Sequence, residues 1–233
     1  LEKRNMPEIK WLNTAQMFQT NAGHEELEAN STLKFLSRSK KFSLFGDLAF
    51  TYFDYQTQKG TDFAFRAQQL FVDFNPKIQF FHKPSNLDAQ IGINLTYNQH
   101  STQESTALKV NPFVYVEKGI SDLGMKLYGG IDGGLRKTSL RRIHDMMPYY
   151  GLQDTILNTY DQINGYLGIK GKISENSLFH IDFGGNTVAN MLMFAQVSDT
   201  SDRNLNDYKL RPLRAVYRDI SSIYFRAGAE YLL

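Results

Sequence analysis

Two stretches of this 233-residue chain carry residue types at a spacing that could do chemistry. His24-Glu25-Glu26-Leu27-Glu28 opens like HExxH, where two His one helical turn apart reach a single zinc ion. Glu28 stands where the second His is needed, so no ligand set forms and the stretch reads as a solvated loop. His180 and Asp182 lie two apart on a predicted strand and share a face. A carboxylate beside an imidazole can orient a general base. This pair, however, follows a tight predicted turn, and a polar network on one strand face is the better reading. Gly129-Gly130-Ile131-Asp132-Gly133-Gly134 lacks GxGxxG spacing and sits within a predicted strand, where small residues let neighbours bend. Cys is absent, which excludes thiolate metal sites, disulfides and Cys nucleophiles. No catalytic residue, metal or cofactor is expected.

Binding residues are easier to nominate. Arg136, Lys137, Arg141, Arg142 and His144 cluster at the start of a long connection. They could meet lipopolysaccharide phosphates or another anion, or form a solvated loop base. Met146, Met147, Tyr149 and Tyr150, and then Met191, Met193 and Phe194, are apolar groups in predicted loops. Exposed apolar clusters ask for cover, from the lumen or from a partner protein. With 26 Lys and Arg against 24 Asp and Glu, the net charge of +2 gives no footprint for nucleic acid.

The elements that would carry these residues are strands. In Ala107–Arg136, Leu123, Met125, Leu127, Ile131 and Leu135 fall on one face, and Gly124, Lys126, Tyr128, Asp132 and Arg136 on the other. A period of two belongs to a strand. The design recurs in Ser31–Ser39, Phe42–Tyr55, Gln69–His82, Leu87–Asn98, Thr159–Ile173 and Leu178–Asn190. A last hairpin, Leu213–Arg218 and Ile223–Leu233, turns at Asp219–Ser222. Pro76 and Pro112 interrupt their strands, since Pro removes a ladder hydrogen bond. This makes ten strands, or eleven with Ile9–Thr20. Residues 1–30 read as an N-terminal segment, either loop or extra strand, ahead of a barrel over 31–233. No run of 18 apolar residues suggests a membrane helix, but strands of roughly 9–11 residues suffice to cross a bilayer.

Connections alternate in length. Short turns stand at 40–41, 83–86, 119–122, 174–177 and 219–222. Longer loops stand at 56–61, 99–106, 137–158 and 191–212. Short turns on one rim and long loops on the other mark an outer-membrane barrel, so the prediction is an all-β, antiparallel up-and-down transmembrane barrel in the bacterial outer membrane. The 137–158 and 191–212 loops are expected at the cell surface, and lipid and lipopolysaccharide around the wall. The short turn at 219–222 sends the final strand outward, so residues 1–233 read as part of a larger barrel.

The run KVNPFVYVEKGISDLGMKLYGGIDGGLRK, a long loop, then NTYDQINGYLGIKGKISENSLFHIDFGGN resembles a family of large outer-membrane barrels. Its members occur in the Bacteroidota and are often labelled TonB-dependent-receptor-like. The matching features are Asn111-Pro112-Phe113, Tyr128 to Gly134, Met147-Pro148-Tyr149 and Tyr166 to Gly171, over roughly Phe42 to Leu233. The resemblance implies a barrel that continues past Leu233, and the first functional reading is a non-enzymatic conduit or receptor for a solute. The alternative is an accessory subunit of a secretion or barrel-assembly complex, with other outer-membrane or periplasmic proteins as partners.

Overall fold

In the computed structural model, residues 7–20, 23–39, 41–57, 66–100, 107–120, 124–147, 150–151, 156–174, 176–196 and 213–231 are described. They form one sheet of twelve strands: β1 (Glu8–Gln19), β2 (His24–Arg38), β3 (Phe42–Thr57), β4 (Arg66–Phe74), β5 (Lys77–His82), β6 (Leu87–His100), β7 (Ala107–Ile120), β8 (Met125–Arg136), β9 (Tyr150–Gly151), β10 (Thr159–Ser174), β11 (Ser177–Gln196) and β12 (Leu213–Tyr231). A 3₁₀ turn, Lys83–Ser85, and one helix, α1 (Leu140–Met146), complete the described elements. Apart from β5 and β9, neighbours in sequence are neighbours in the sheet, and every long ladder is antiparallel. Only the two residues of β9 pair in parallel, on β12.

The alternation of side chains decides the two faces. Phe50, Ile91, Ile93, Leu127, Leu167 and Phe183 lie outward and exposed, while Thr51, Phe53, Gln69, Phe71, Thr96, Asn111 and Asp182 are buried on the other side. An exposed apolar belt over a polar inner face is the pattern of a lipid-embedded wall, and the reverse of a water-soluble sheet.

β4 and β5 are one span broken at Asn75 and Pro76, as Pro76 requires. The break presses backbone against both neighbouring strands. A Cβ at Gly46 would stand 2.5 Å from the Asn75 carbonyl oxygen, and one at Gly92 2.4 Å from that of Pro76. Those positions accept only glycine. Two bonds repair the ladder: Asn75 N–H donates to Asp47 O (2.9 Å) and Ile93 N–H to Pro76 O (3.2 Å). Pro112, by contrast, interrupts nothing. It pairs with Ile93 inside an unbroken β7, whose ladder to β8 begins only at Val114.

Several boundaries differ from the sequence reading. Residues 24–30 belong to β2 and are not a loop. Their acidic side chains have cross-strand partners: Gln19 Nε2 donates to Glu25 (2.9 Å) and Gln16 to Glu28. β11 runs to Gln196, so Met191, Met193 and Phe194 are strand residues. The turn at Asp219–Ser222 does not exist, because β12 is continuous from Leu213 to Tyr231. Asp219 closes a bulge instead. Its Oδ1 accepts from Asn190 N–H (3.0 Å), and Asn190 takes the left-handed φ of 54°. β12 therefore runs towards the short-turn rim, and the outward-running final strand is overturned. A register shift opposite Gly133 turns Leu135 from the outer set to the inner one, where it packs on buried residues.

Arg at Ile93 is expected to cost about 2–4 kcal/mol if that site lies near the midplane, and Arg at Asn94 much less. Denaturant titration in bilayers measures both, and equal costs would contradict the two-face assignment.

Candidate functional site

The inner face holds two constructions. The first is the connection after β8, which folds inward against the wall. Ser139 caps α1, its hydroxyl accepting from Arg142 N–H (3.1 Å). Glu26, from β2, accepts from Leu140 N–H. The apolar side of α1 buries Leu140 and Ile143 with Ile156 against Phe53, Tyr55, Ala67 and Phe71 of β3 and β4. Phe18 of β1 and Leu192 and Phe194 of β11 pack on the same cluster, so strands far apart in the sheet converge on this connection.

Buried polar groups of the connection are paired one by one with the wall. Tyr55 Oη donates to Thr138 O (3.0 Å), and Thr138 N–H to Asn158 Oδ1 (2.9 Å). Asn158 Nδ2 donates to Gln69 Oε1 (2.9 Å), while Gln69 Nε2 donates to Ile156 O (3.2 Å). Lys137 Nζ pairs with Asp73 (2.5 Å) and donates to Thr51 Oγ1 (2.7 Å). Asp73 also accepts from Thr96 Oγ1 (2.7 Å).

The second construction is a charged lattice on β7, β8, β10, β11 and β12. Glu117 pairs with Lys126 and Lys170, both at 2.6 Å, and accepts from Tyr115 Oη (2.7 Å). Arg226 holds Asp182 Oδ1 through two nitrogens at 2.8 Å, and Tyr128 Oη donates to Asp182 Oδ2 (3.3 Å). Tyr224 Oη donates to Asn164 Oδ1 (3.0 Å), and Asn164 Nδ2 to Asp132 Oδ1 (2.8 Å). The rings lie over glycines of adjoining strands. A Cβ at Gly168 would sit 2.7 Å from Tyr128 Cζ, and one at Gly184 2.5 Å from Tyr224 Oη.

The nominated residues scatter. Lys137 points inward and is neutralised by Asp73. Arg136 pairs with Asp161 (2.7 Å). Arg141 donates to Gln16 Oε1 (2.7 Å) and lies 3.9 Å from Asp145. The His144 ring packs near Phe18, centroids 5.4 Å apart. Arg142 uses its backbone in the helix cap. Met146 is exposed at the end of α1, and Met147 closes the helix through its N–H to Ile143 O (3.0 Å). Met191 and Met193 are exposed on β11 while Phe194 joins the inner cluster. Tyr150 lends backbone to β9, and Tyr149 lies outside the described residues. His24 to Glu28 lie along a strand, so no helical metal motif exists there. Asp182 spends both oxygens on Arg226 and Tyr128, not on His180. Gln69, Asn158 and Tyr55 were missed by sequence reasoning. The one signal was Gln69 standing between Ala67 and Phe71 on one strand face.

No protein-family model matches the chain. No curated protein matches it either. Among solved structures it is similar to the copper transporter OprC, at 14% identity and a TM-score of 0.60, over 90% of this chain and 35% of that one. It is also similar to a chain in the FpvAI–pyocin S2 complex, at 8% identity and a TM-score of 0.56, over 97% of this chain and 36% of that one. The chain thus spans about a third of the length of these solved chains. The shared property is the fold, an antiparallel sheet consistent with part of a β-barrel.

Gln69→Leu removes both amide contacts and leaves Ile156 O and Asn158 Nδ2 unpaired, at about 1–3 kcal/mol for each group left buried. The expected result is a lower unfolding midpoint with faster limited proteolysis within 137–158. Cleavage at the wild-type rate would show that these bonds do not hold the connection inward.

Proposed function

We propose that this chain forms the wall of a bacterial outer-membrane barrel of TonB-dependent-receptor type, serving as a conduit or receptor for a solute. One observation carries the reading: a connection from the long-loop rim is fastened inward against one part of an inner face whose other part is charged, behind an apolar outer belt. A scaffold needs only the belt. A passage needs a polar lining and something to narrow it. The printed names of the two similar structures, a copper transporter and a pyocin complex, support a solute- or protein-handling barrel, without passing either ligand to this chain.

The long connections belong at the cell surface in this reading, with the short turns in the periplasm. Arg136, at the end of β8 beside Asp161, then stands where lipopolysaccharide phosphates are met, whereas Arg141 and Arg142 lie on the inward-folded helix. Met191 and Met193, towards the long-connection end of β11, are assigned to contact with lipid or with a partner protein.

Deleting Leu140–Met146 from the full-length protein in the outer membrane is the test. The shortened protein is expected to conduct more current in planar bilayers and to sensitise cells to a large hydrophilic antibiotic that the membrane excludes. If a correctly inserted deletion variant changes neither readout, the conduit reading fails.

A further inference from the structure

The outer face carries a feature that a plain apolar belt does not need. Val114, Val116, Leu127, Ile131 and Leu167, on β7, β8 and β10, border a shallow apolar groove of about 400 Å³. The ladders explain it. Gly129 has Val116 as its partner on one side and Leu167 on the other. Leu127 and Ile131 stand two residues away along β8, on the same face. Large side chains therefore surround one that is missing. Val116, Leu127, Ile131 and Leu167 are all exposed, so the groove opens outward.

Lys118 borders the same groove, towards the short-turn end of β7. It alternates with Val114 and Val116 and so shares their outer side. Across the sheet its row runs His82, Leu87, Lys118, Leu127, Ile169 and Ile181. The row towards mid-strand runs Phe80, Ala89, Val116, Gly129, Leu167 and Phe183. The row towards the turn holds Ile120, Met125, Gly171 and Phe179. No carboxylate stands in these three rows. The nearest ones in sequence and register, Glu117 and Asp88, lie on the inner face. Glu117 is taken there by Lys126 and Lys170, and Asp88 by Gln79. His82 is occupied with Ser85, Nδ1 to Oγ 2.7 Å. Among the described residues, Lys118 has no ion-pair partner.

We propose that this groove seats one glycerophospholipid, with an acyl chain lying over Gly129 between Val116 and Leu167 and the phosphate on Lys118. The charge and the groove come in the order in which a lipid presents them, head group towards the rim and chain towards mid-strand. A lysine stem lies along apolar surface while its ammonium reaches the interface, and there it meets phosphate as a point charge. The site rests on the reading of the outer face as lipid-facing. It requires no conduit, so a failed permeability test and a failed lipid test are separate results.

The experiment is photo-crosslinking of the full-length protein in detergent, with the labelled peptides mapped. The probes are a phosphatidylglycerol with a diazirine on one acyl chain and the diacylglycerol with the same chain. Labelling within Val114–Val116 and Leu127–Ile131 is expected to saturate and to be competed by unlabelled phosphatidylglycerol. Labelling near Phe50 and Leu70, elsewhere on the belt, should not saturate. Diacylglycerol should label the groove about tenfold less tightly, as loss of one charge-assisted contact implies. Lys118→Gln should weaken phosphatidylglycerol by a similar factor and leave diacylglycerol unchanged. Val116→Trp, which fills the groove, should lower labelling by both probes. Labelling of the groove that does not saturate, equal affinity of the wild type for the two probes, or equal phosphatidylglycerol labelling in Lys118→Gln and wild type would each overturn the proposal.

Discussion

The packing of Leu140 and Ile143 on Phe53, Tyr55 and Phe71 is the interaction on which the inner face depends. A transmembrane sheet has no core in the soluble sense. Its outer apolar side chains face lipid, and its inner ones face whatever fills the barrel. Burying a Leu or Ile gains about 1.5–3 kcal/mol, but here it carries polar backbone into a place where unpaired groups are costly. Gln69, Asn158 and Tyr55 resolve that conflict by pairing the Thr138 and Ile156 backbone with the wall. The apolar cluster draws the connection inward, and the polar contacts fix where it stops.

Elsewhere the inner wall is held by charge and aromatic rings. Lysines lie over rings at Phe113, Tyr160, Phe71 and Tyr128, so cations span from strand to strand as well as pairing with carboxylates. Each such contact is worth from about 0.5 to 2 kcal/mol according to how dry it is. Tyr128 over Gly168 and Tyr224 over Gly184 fill space that the missing side chains leave. The glycines admit the rings, and the rings then cover backbone that would otherwise face the lumen bare.

Strand identity was legible because it depends on period two, which each residue votes on independently. The outward set at Phe50, Ile91, Ile93, Leu127 and Phe183 follows from that alone. The errors fall where one residue changes the count or where polarity mimics a turn. The shift at Gly133 moved Leu135 to the other face; Gly133-Gly134 marks the place as one where a strand can bulge, but not that the count changes there. Asp219, Ser221 and Ser222 look like a turn, yet Ser221 and Ser222 sit opposite Thr187 and Asn186 in the β11–β12 ladder. Glu25 and Glu28 look like a loop until Gln19 and Gln16 are seen across from them. The inward connection was the least legible, because its partners lie more than 80 residues away in sequence.

These differences divide the lumen by chemistry. Towards the long-connection rim the inner face is apolar and filled by α1 and its flanks. Along β7 to β12 it is charged, with Glu117 and Asp182 each paired to cations. In the proposed conduit, α1 limits what can enter, and the paired lattice presents hydrogen bonds without strong attraction. A passage must bind weakly enough along its length to release what it carries. Pairing Glu117 with two lysines and Asp182 with Arg226 meets that condition along this part of the wall.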